Sequence, residues 1–78
     1  MTLLEIATLY TGLVKLDREI PETAAEAKDR VSALRTQYHE QLMTKMREEN
    51  IPFSDRFDAA NKAFQIVAEA SVSQNSLK

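Results

Sequence analysis

The sequence predicts an all-α fold, in which a short, a long and a short helix form a helical bundle or hairpin. Three observations predict it. Thr2 and Thr23 each stand three residues before a glutamate, in the T-x-x-E pattern of a capping box. Apolar residues then recur at intervals of three and four, as on one face of a helix. Stop signals at Ile20-Pro21 and Asn50-Ile51-Pro52 divide the chain into three segments.

The first predicted helix covers residues 3–19. In its capping box the Thr2 hydroxyl accepts from the backbone N–H of Glu5, and the Glu5 carboxylate accepts from the N–H of Thr2. Further apolar residues flank the three-four seam, so the helix needs two neighbours. The seam consists of Ile6, Leu9, Leu13, Leu16 and Ile20.

Gly12, the only glycine, lies inside this first helix. An interior glycine costs up to about 1 kcal/mol relative to alanine unless a close approach of backbones compensates. We therefore expect a neighbouring helix to pack closely against Gly12. The alternative is that Gly12 is a tolerated weak spot on an exposed face.

The second predicted helix covers residues 23–49 and begins at the Thr23 capping box, while Pro21 either ends the first helix or lies in the first turn of the second. It would span about 40 Å, more than either flanking helix, so part of its apolar stripe is left uncovered. Met43 and Met46 either fill the core or form an adaptable binding surface. The stripe consists of Ala24, Ala27, Val31, Leu34, Tyr38, Leu42 and Met46.

The third predicted helix covers residues 54–70 and follows a stop at which Asn50 takes the left-handed conformation and Ile51 folds back on the last turn. Either Ser54 or Asp55 caps its first turn. Its apolar seam consists of Phe57, Ala60, Phe64 and Val67, with Ser71 at the next position. Residues 71–78 contain little apolar content, so we expect a flexible tail after a single domain at 1–70.

Length and composition favour a small soluble protein that is stabilised by oligomerisation or by a bound partner. A core of 78 residues rarely supplies more than about 3–5 kcal/mol without disulfides, a metal or oligomerisation. The chain has no cysteine and a net charge of −2, and its first apolar stretch, which lies between Glu5 and Lys15, is too short to cross a bilayer. We expect a cytoplasmic protein that makes no membrane contact and is stabilised by self-association.

Nothing in the sequence indicates an enzyme. It has one glycine, too few for a phosphate-binding loop, and no pair of histidines with metal-ligand spacing. His39 is the only base that titrates unperturbed near neutral pH. Because Tyr38 lies on the seam and adjacent helical residues point in different directions, we expect His39 to face an edge or solvent. We predict no catalytic residue, metal or cofactor.

The function predicted from these observations is a non-enzymatic protein–protein interaction module. It would be a small adaptor or inhibitor-type protein that self-associates, as a homodimer, and occludes or bridges a partner. Helices one and two would supply a coiled-coil-like interface, because their apolar faces exceed what one chain covers. The predicted interface residues are Ile6, Leu9, Leu13, Leu16, Val31, Leu34, Tyr38 and Leu42.

The alternative is a small regulator or accessory subunit that binds nucleic acid or a nucleoprotein complex. Basic residues outnumber acidic ones in the middle of the second helix, and phosphate contacts need such an excess. Against it, a helix-turn-helix reading would place the acidic Asp55 and Asp58 at the end that reads the bases. The candidate nucleic-acid-binding residues are Lys28, Arg30, Arg35, Lys45 and Arg47.

Overall fold

The computed structural model describes residues 1–76, with side chains as far as Val72, and over this range the chain forms three α-helices and no strand. They are α1 (Leu3–Glu19), α2 (Ala25–Glu48) and α3 (Arg56–Ser76). Each helix packs against the other two, which confirms the predicted all-helical class. None of the helices in the described range is both long enough and apolar enough to cross a membrane.

The start of α1 is the predicted capping box. The backbone N–H of Glu5 donates to the Thr2 hydroxyl over 3.1 Å, and the N–H of Thr2 donates to the Glu5 carboxylate over 2.9 Å. Ile20 ends the helix in an extended conformation, as expected for a residue that precedes proline.

The predicted capping box at Thr23 is wrong. The N-cap of α2 is Ala24, which has no side-chain cap, and the helix begins two residues later than predicted. The backbone N–H of Ala24 donates to the Pro21 carbonyl over 2.9 Å. This bond closes a turn over residues 21–24 and leaves Thr23 ahead of the N-cap, where its hydroxyl cannot reach the first helical N–H groups.

The end of α2 is the predicted stop. Asn50 has a φ of 58°, in the left-handed region. The N–H of Ile51 donates to the Met46 carbonyl over 2.8 Å, and the N–H of Asn50 donates to the Arg47 carbonyl over 3.2 Å. These two bonds form a Schellman motif, and Ile51 packs against the core cluster that contains Met46.

The predicted limits of the third helix are corrected at both ends. Asp55 provides the cap, because its carboxylate accepts from the N–H of Asp58 over 2.8 Å, and α3 begins at Arg56. The helix continues to Ser76, six residues past the predicted end, because no glycine or proline stops it. The predicted tail therefore lies in the helix as far as Ser76, and residues 77–78 lie outside the described range.

The core forms where the three helices meet. The buried alanines of α3, Ala59 and Ala63, let that helix approach closely. Met43 and Met46 are both buried, so the interpretation of these methionines as core is confirmed and the adaptable surface is wrong. The rest of the core cluster is Ile6, Ala7, Tyr10, Val14 and Leu42.

Gly12 is not a site of close helix packing within the chain. It is exposed, and a Cβ built on it would meet no atom within 4 Å. The expectation of a close neighbour is wrong, and the alternative of a glycine on an exposed face is the one observed. The error arises because glycine is as compatible with an open helix face as with a tight contact.

Candidate protein-binding surface

Two contacts set the register between α1 and α2. Near one end, a guanidinium nitrogen of Arg35 lies 3.2 Å from the Asp17 carboxylate. About two turns earlier on α1 and about one turn later on α2, the rings of Tyr10 and His39 lie 4.9 Å apart between centroids. Residues later in α1 therefore contact residues earlier in α2, which means that the two helices run antiparallel.

The eight predicted interface residues separate into two groups. Ile6, Val31 and Leu42 are buried within their own chain. The prediction that these three residues lie in an interface between chains is therefore corrected. They are already buried within one chain, so little of their surface is left for a second chain to cover. The other five retain exposure: Leu9, Leu16 and Leu34 are 42%, 45% and 43% exposed, and Leu13 and Tyr38 are half-buried.

The five accessible residues lie on one side of the α1–α2 pair. Leu9, Leu13 and Leu16 follow i, i+4, i+7 spacing, which places them on one face of α1. On α2, Leu34 and Tyr38 follow i, i+4 spacing, away from the buried Met43, and Tyr38 also packs against the edge of the core cluster. We call these five residues the leucine surface.

The leucine surface extends toward the N-terminus of α1. A shallow groove of about 400 Å³ lies there, and its walls are largely apolar. Leu9 belongs to both the groove and the leucine surface, so the two form one continuous region. Met1, Leu4, Glu5, Thr8 and Leu9 line this groove.

Asp17 is a structural residue that no sequence pattern indicated. Its side chain is 16% exposed and forms ion pairs with Arg35 at 3.2 Å and Lys28 at 3.8 Å. The Lys28 ammonium also donates to the Asp17 carbonyl over 2.8 Å, at the C-terminal end of α1. Lys28 and Arg35 therefore tie α2 to α1. No local pattern signals these contacts, since the partners lie 11 and 18 positions apart.

The remaining candidates for nucleic-acid binding are also engaged within the chain. Arg30 pairs with Glu26 at 3.7 Å, and Lys45 pairs with Glu48 and Glu49. The Arg47 guanidinium lies over the Phe53 ring, 5.4 Å from its centroid. Acidic neighbours thus offset much of the positive charge in this stretch, which reduces its attraction for phosphate.

The expectation that His39 faces an edge or solvent is wrong. His39 is 8% exposed, its ring contacts Tyr10, and its Nε2 atom lies 2.9 Å from the Arg56 carbonyl oxygen. A carbonyl only accepts hydrogen bonds, so Nε2 carries a proton and donates. The prediction failed because it allowed for one apolar seam on α2, whereas α2 meets α1 and α3 along two flanks.

Within residues 1–76 no three His, Cys, Asp or Glu side chains come together in a group that could hold a metal ion. In the described part of the chain the leucine surface is a candidate site made of partly exposed apolar side chains. Comparisons of the chain with protein families, with curated proteins and with solved structures find no match.

Proposed function

We propose that this protein is a non-enzymatic protein-binding module that forms a homodimer through the leucine surface. The observation that carries the proposal is the exposure of Leu9, Leu16 and Leu34, each above two-fifths, on adjoining faces of two packed helices. A contiguous apolar region of this kind marks an interaction site in a small protein. Scattered single leucines would not, since most protein surfaces carry them.

A second copy of the chain is the occupant that the surface charges favour. Glu19 is exposed at the outer edge of α1, and Arg30 is exposed at the outer edge of α2. The Asp17–Arg35 contact places these two edges at similar heights along the helix pair. A two-fold axis parallel to the helices would stack α1 of one copy over α2 of the other, so Glu19 would meet Arg30 of its partner. A two-fold axis across the helices would stack α1 on α1 in the reversed direction and would not bring Glu19 onto Arg30.

The dimer would leave α3 free to contact a further protein, which fits an adaptor or inhibitor. Phe57 and Val72 on α3 are 73% and 66% exposed. Neither residue belongs to the leucine surface, so self-association leaves both accessible. Bridging or occlusion of a partner by this outer helix is the mechanism we propose.

The test is the molar mass in solution over a dilution series, with helicity measured on the same samples. The full chain should pass from the mass of two chains to that of one, and its thermal midpoint should fall on dilution. Leu16→Glu should give a helical monomer at every concentration, because it places a charge in the apolar interface. Val72→Glu, at an exposed apolar position outside the leucine surface, is the matched control and should still dimerise.

A charge exchange tests the arrangement of the two copies. Glu19→Arg alone and Arg30→Glu alone should each weaken dimerisation, and the double variant should restore it. A wild-type chain that is monomeric at all concentrations would contradict the dimer. A stable dimer in which the two single variants have no effect would contradict this two-fold arrangement alone.

A further inference from the structure

A second feature lies on the other side of the α1–α2 pair, where α3 approaches. A cleft of about 320 Å³ opens among the three helices. Tyr10 of α1, Arg35 and His39 of α2, and Arg56 and Phe57 of α3 line it. No carboxylate is among its lining residues in the described part of the chain.

Arg56 carries the net positive charge at this cleft, because the Asp17 carboxylate, 3.2 Å from Arg35, offsets the charge of that guanidinium. Arg56 makes no ion pair within residues 1–76, and Arg35 keeps 40% of its side chain exposed while contacting Asp17. Burial raises the pKa of the Tyr10 phenol, and the charges of Arg35 and Arg56 oppose this increase. Both guanidinium groups line the same cleft as this phenol.

The other two side chains add polarity and an apolar wall. Because His39 donates from Nε2 to the Arg56 carbonyl, its Nδ1 atom is left without a role in that bond. Phe57 is the second residue of α3, and it is 73% exposed. An exposed aromatic ring beside two guanidinium groups provides stacking area next to a site for oxygen anions.

We propose that this cleft binds a small organic anion, a carboxylate or phosphate monoester attached to an aromatic group. Arg56 and Arg35 would hold the anion by charge-assisted hydrogen bonds, which match the paired oxygens of both acid groups. The Phe57 ring would contact the aromatic group. This site lies apart from the leucine surface and does not depend on dimerisation.

The experiment is a titration of the full chain, followed by NMR, with phenyl phosphate, benzoate, inorganic phosphate and phenol as probes. His39 is the only histidine, so its ring signals identify the cleft without ambiguity. Phenyl phosphate or benzoate should shift these signals in a saturable manner, and the ratio of their dissociation constants distinguishes phosphate from carboxylate recognition. Phenol, which lacks the charge, should bind at least about tenfold more weakly.

Two exposed positions provide matched variants. Arg56→Gln should weaken binding of the preferred anion about tenfold, whereas Arg30→Gln, which removes the same charge outside the cleft, should leave it unchanged. Phe57→Ala should weaken phenyl phosphate and leave inorganic phosphate unaffected. The proposal is overturned if neither aromatic anion shifts the His39 signals, if phenol binds as tightly, or if Arg30→Gln is as damaging as Arg56→Gln.

Discussion

The Nε2 atom of His39 lies 2.9 Å from the backbone oxygen of Arg56 and joins the middle of α2 to the first residue of α3. The same ring contacts Tyr10 of α1, so one side chain touches all three helices. This polar contact holds α3 in place beside the small, alanine-rich part of the core. Both residues also line the cleft.

Replacement of His39 should separate the contribution of its ring from that of its hydrogen bond. His39→Phe keeps an aromatic ring beside Tyr10 and should lower the free energy of unfolding by about 1 kcal/mol. His39→Ala also leaves a cavity and should lower it by about 2–3 kcal/mol. Chemical denaturation followed by circular dichroism measures both. An alanine variant as stable as the wild type would show that this ring is not part of the packed interior.

The left-handed residue at the end of α2 allows a direct test of backbone conformation. Asn50→Ala should lower the free energy of unfolding by about 1 kcal/mol, because a Cβ disfavours positive φ and alanine lacks the local hydrogen bonding of asparagine. Asn50→Gly should be neutral or stabilising, because glycine adopts this conformation without strain. Thermal unfolding of the pair gives the comparison, and equal stabilities would argue against the Schellman motif.

Gly12 offers a stabilising substitution. Since a Cβ there meets no atom within 4 Å, Gly12→Ala should raise the free energy of unfolding by up to about 1 kcal/mol through helix propensity. The measurement belongs at a dilution at which the chain is monomeric. The reverse change at an exposed position of α2, Ala33→Gly, should lower stability by a similar amount. Destabilisation by Gly12→Ala under these conditions would place a neighbour against this face.

Asp17 should contribute more to the free energy of unfolding than an ordinary surface charge does. Asp17→Asn removes the shared partner of Lys28 and Arg35 and should lower the free energy of unfolding by about 1–2 kcal/mol. Glu26→Gln, which breaks the exposed pair with Arg30, should cost about 0.2–0.5 kcal/mol. Urea denaturation at one ionic strength compares the two, and equal effects would mean that the Asp17 cluster does not join the helices.

Acidification should weaken the start of α3. The pKa of the Asp58 carboxyl lies below its ordinary value, chiefly because the backbone N–H of Ser54 donates to it and also because the Lys62 ammonium does. A lowered pKa in the folded state means that this carboxylate stabilises the fold at neutral pH. That contribution is lost as the pH falls from the ordinary carboxyl value of 3.8 through the lowered pKa of the folded state.

Asp58→Asn should therefore lose less stability on acidification than the wild type does, and the difference should be greatest at the acid end of this range. Urea denaturation at several pH values measures it. Asp29→Asn is the control, because Asp29 is exposed and makes no ion pair among the described residues. If both variants follow the wild-type pH dependence, the carboxylate contacts at Ser54 and Lys62 do not persist in solution.

Much of the helical framework followed from signals that act within a few residues. The Thr2 capping box and the Asn50 stop are such signals, and the structure has both where they were predicted. The Thr23 pattern is identical in sequence, yet it makes no cap, because the turn from Pro21 to Ala24 shifts the helix start. A capping motif shows which hydrogen bonds are available at the start of a helix. The turn that precedes the helix determines whether these bonds form.

The positions of side chains relative to other helices required the folded chain. Periodicity identified the apolar residues of α1 and α2, but it could not distinguish the buried ones from the exposed ones. It therefore grouped the buried Ile6 and Leu42 with the exposed Leu16. Burial of His39, the pairing of Asp17 with Arg35, and the cleft all depend on contacts between residues distant along the chain. Helix type and boundaries are local consequences of backbone hydrogen bonding and residue shape. The packing of the three helices around one core determines which face of each helix is exposed to water. Because α3 packs on one flank of the α1–α2 pair, the leucine surface stays exposed.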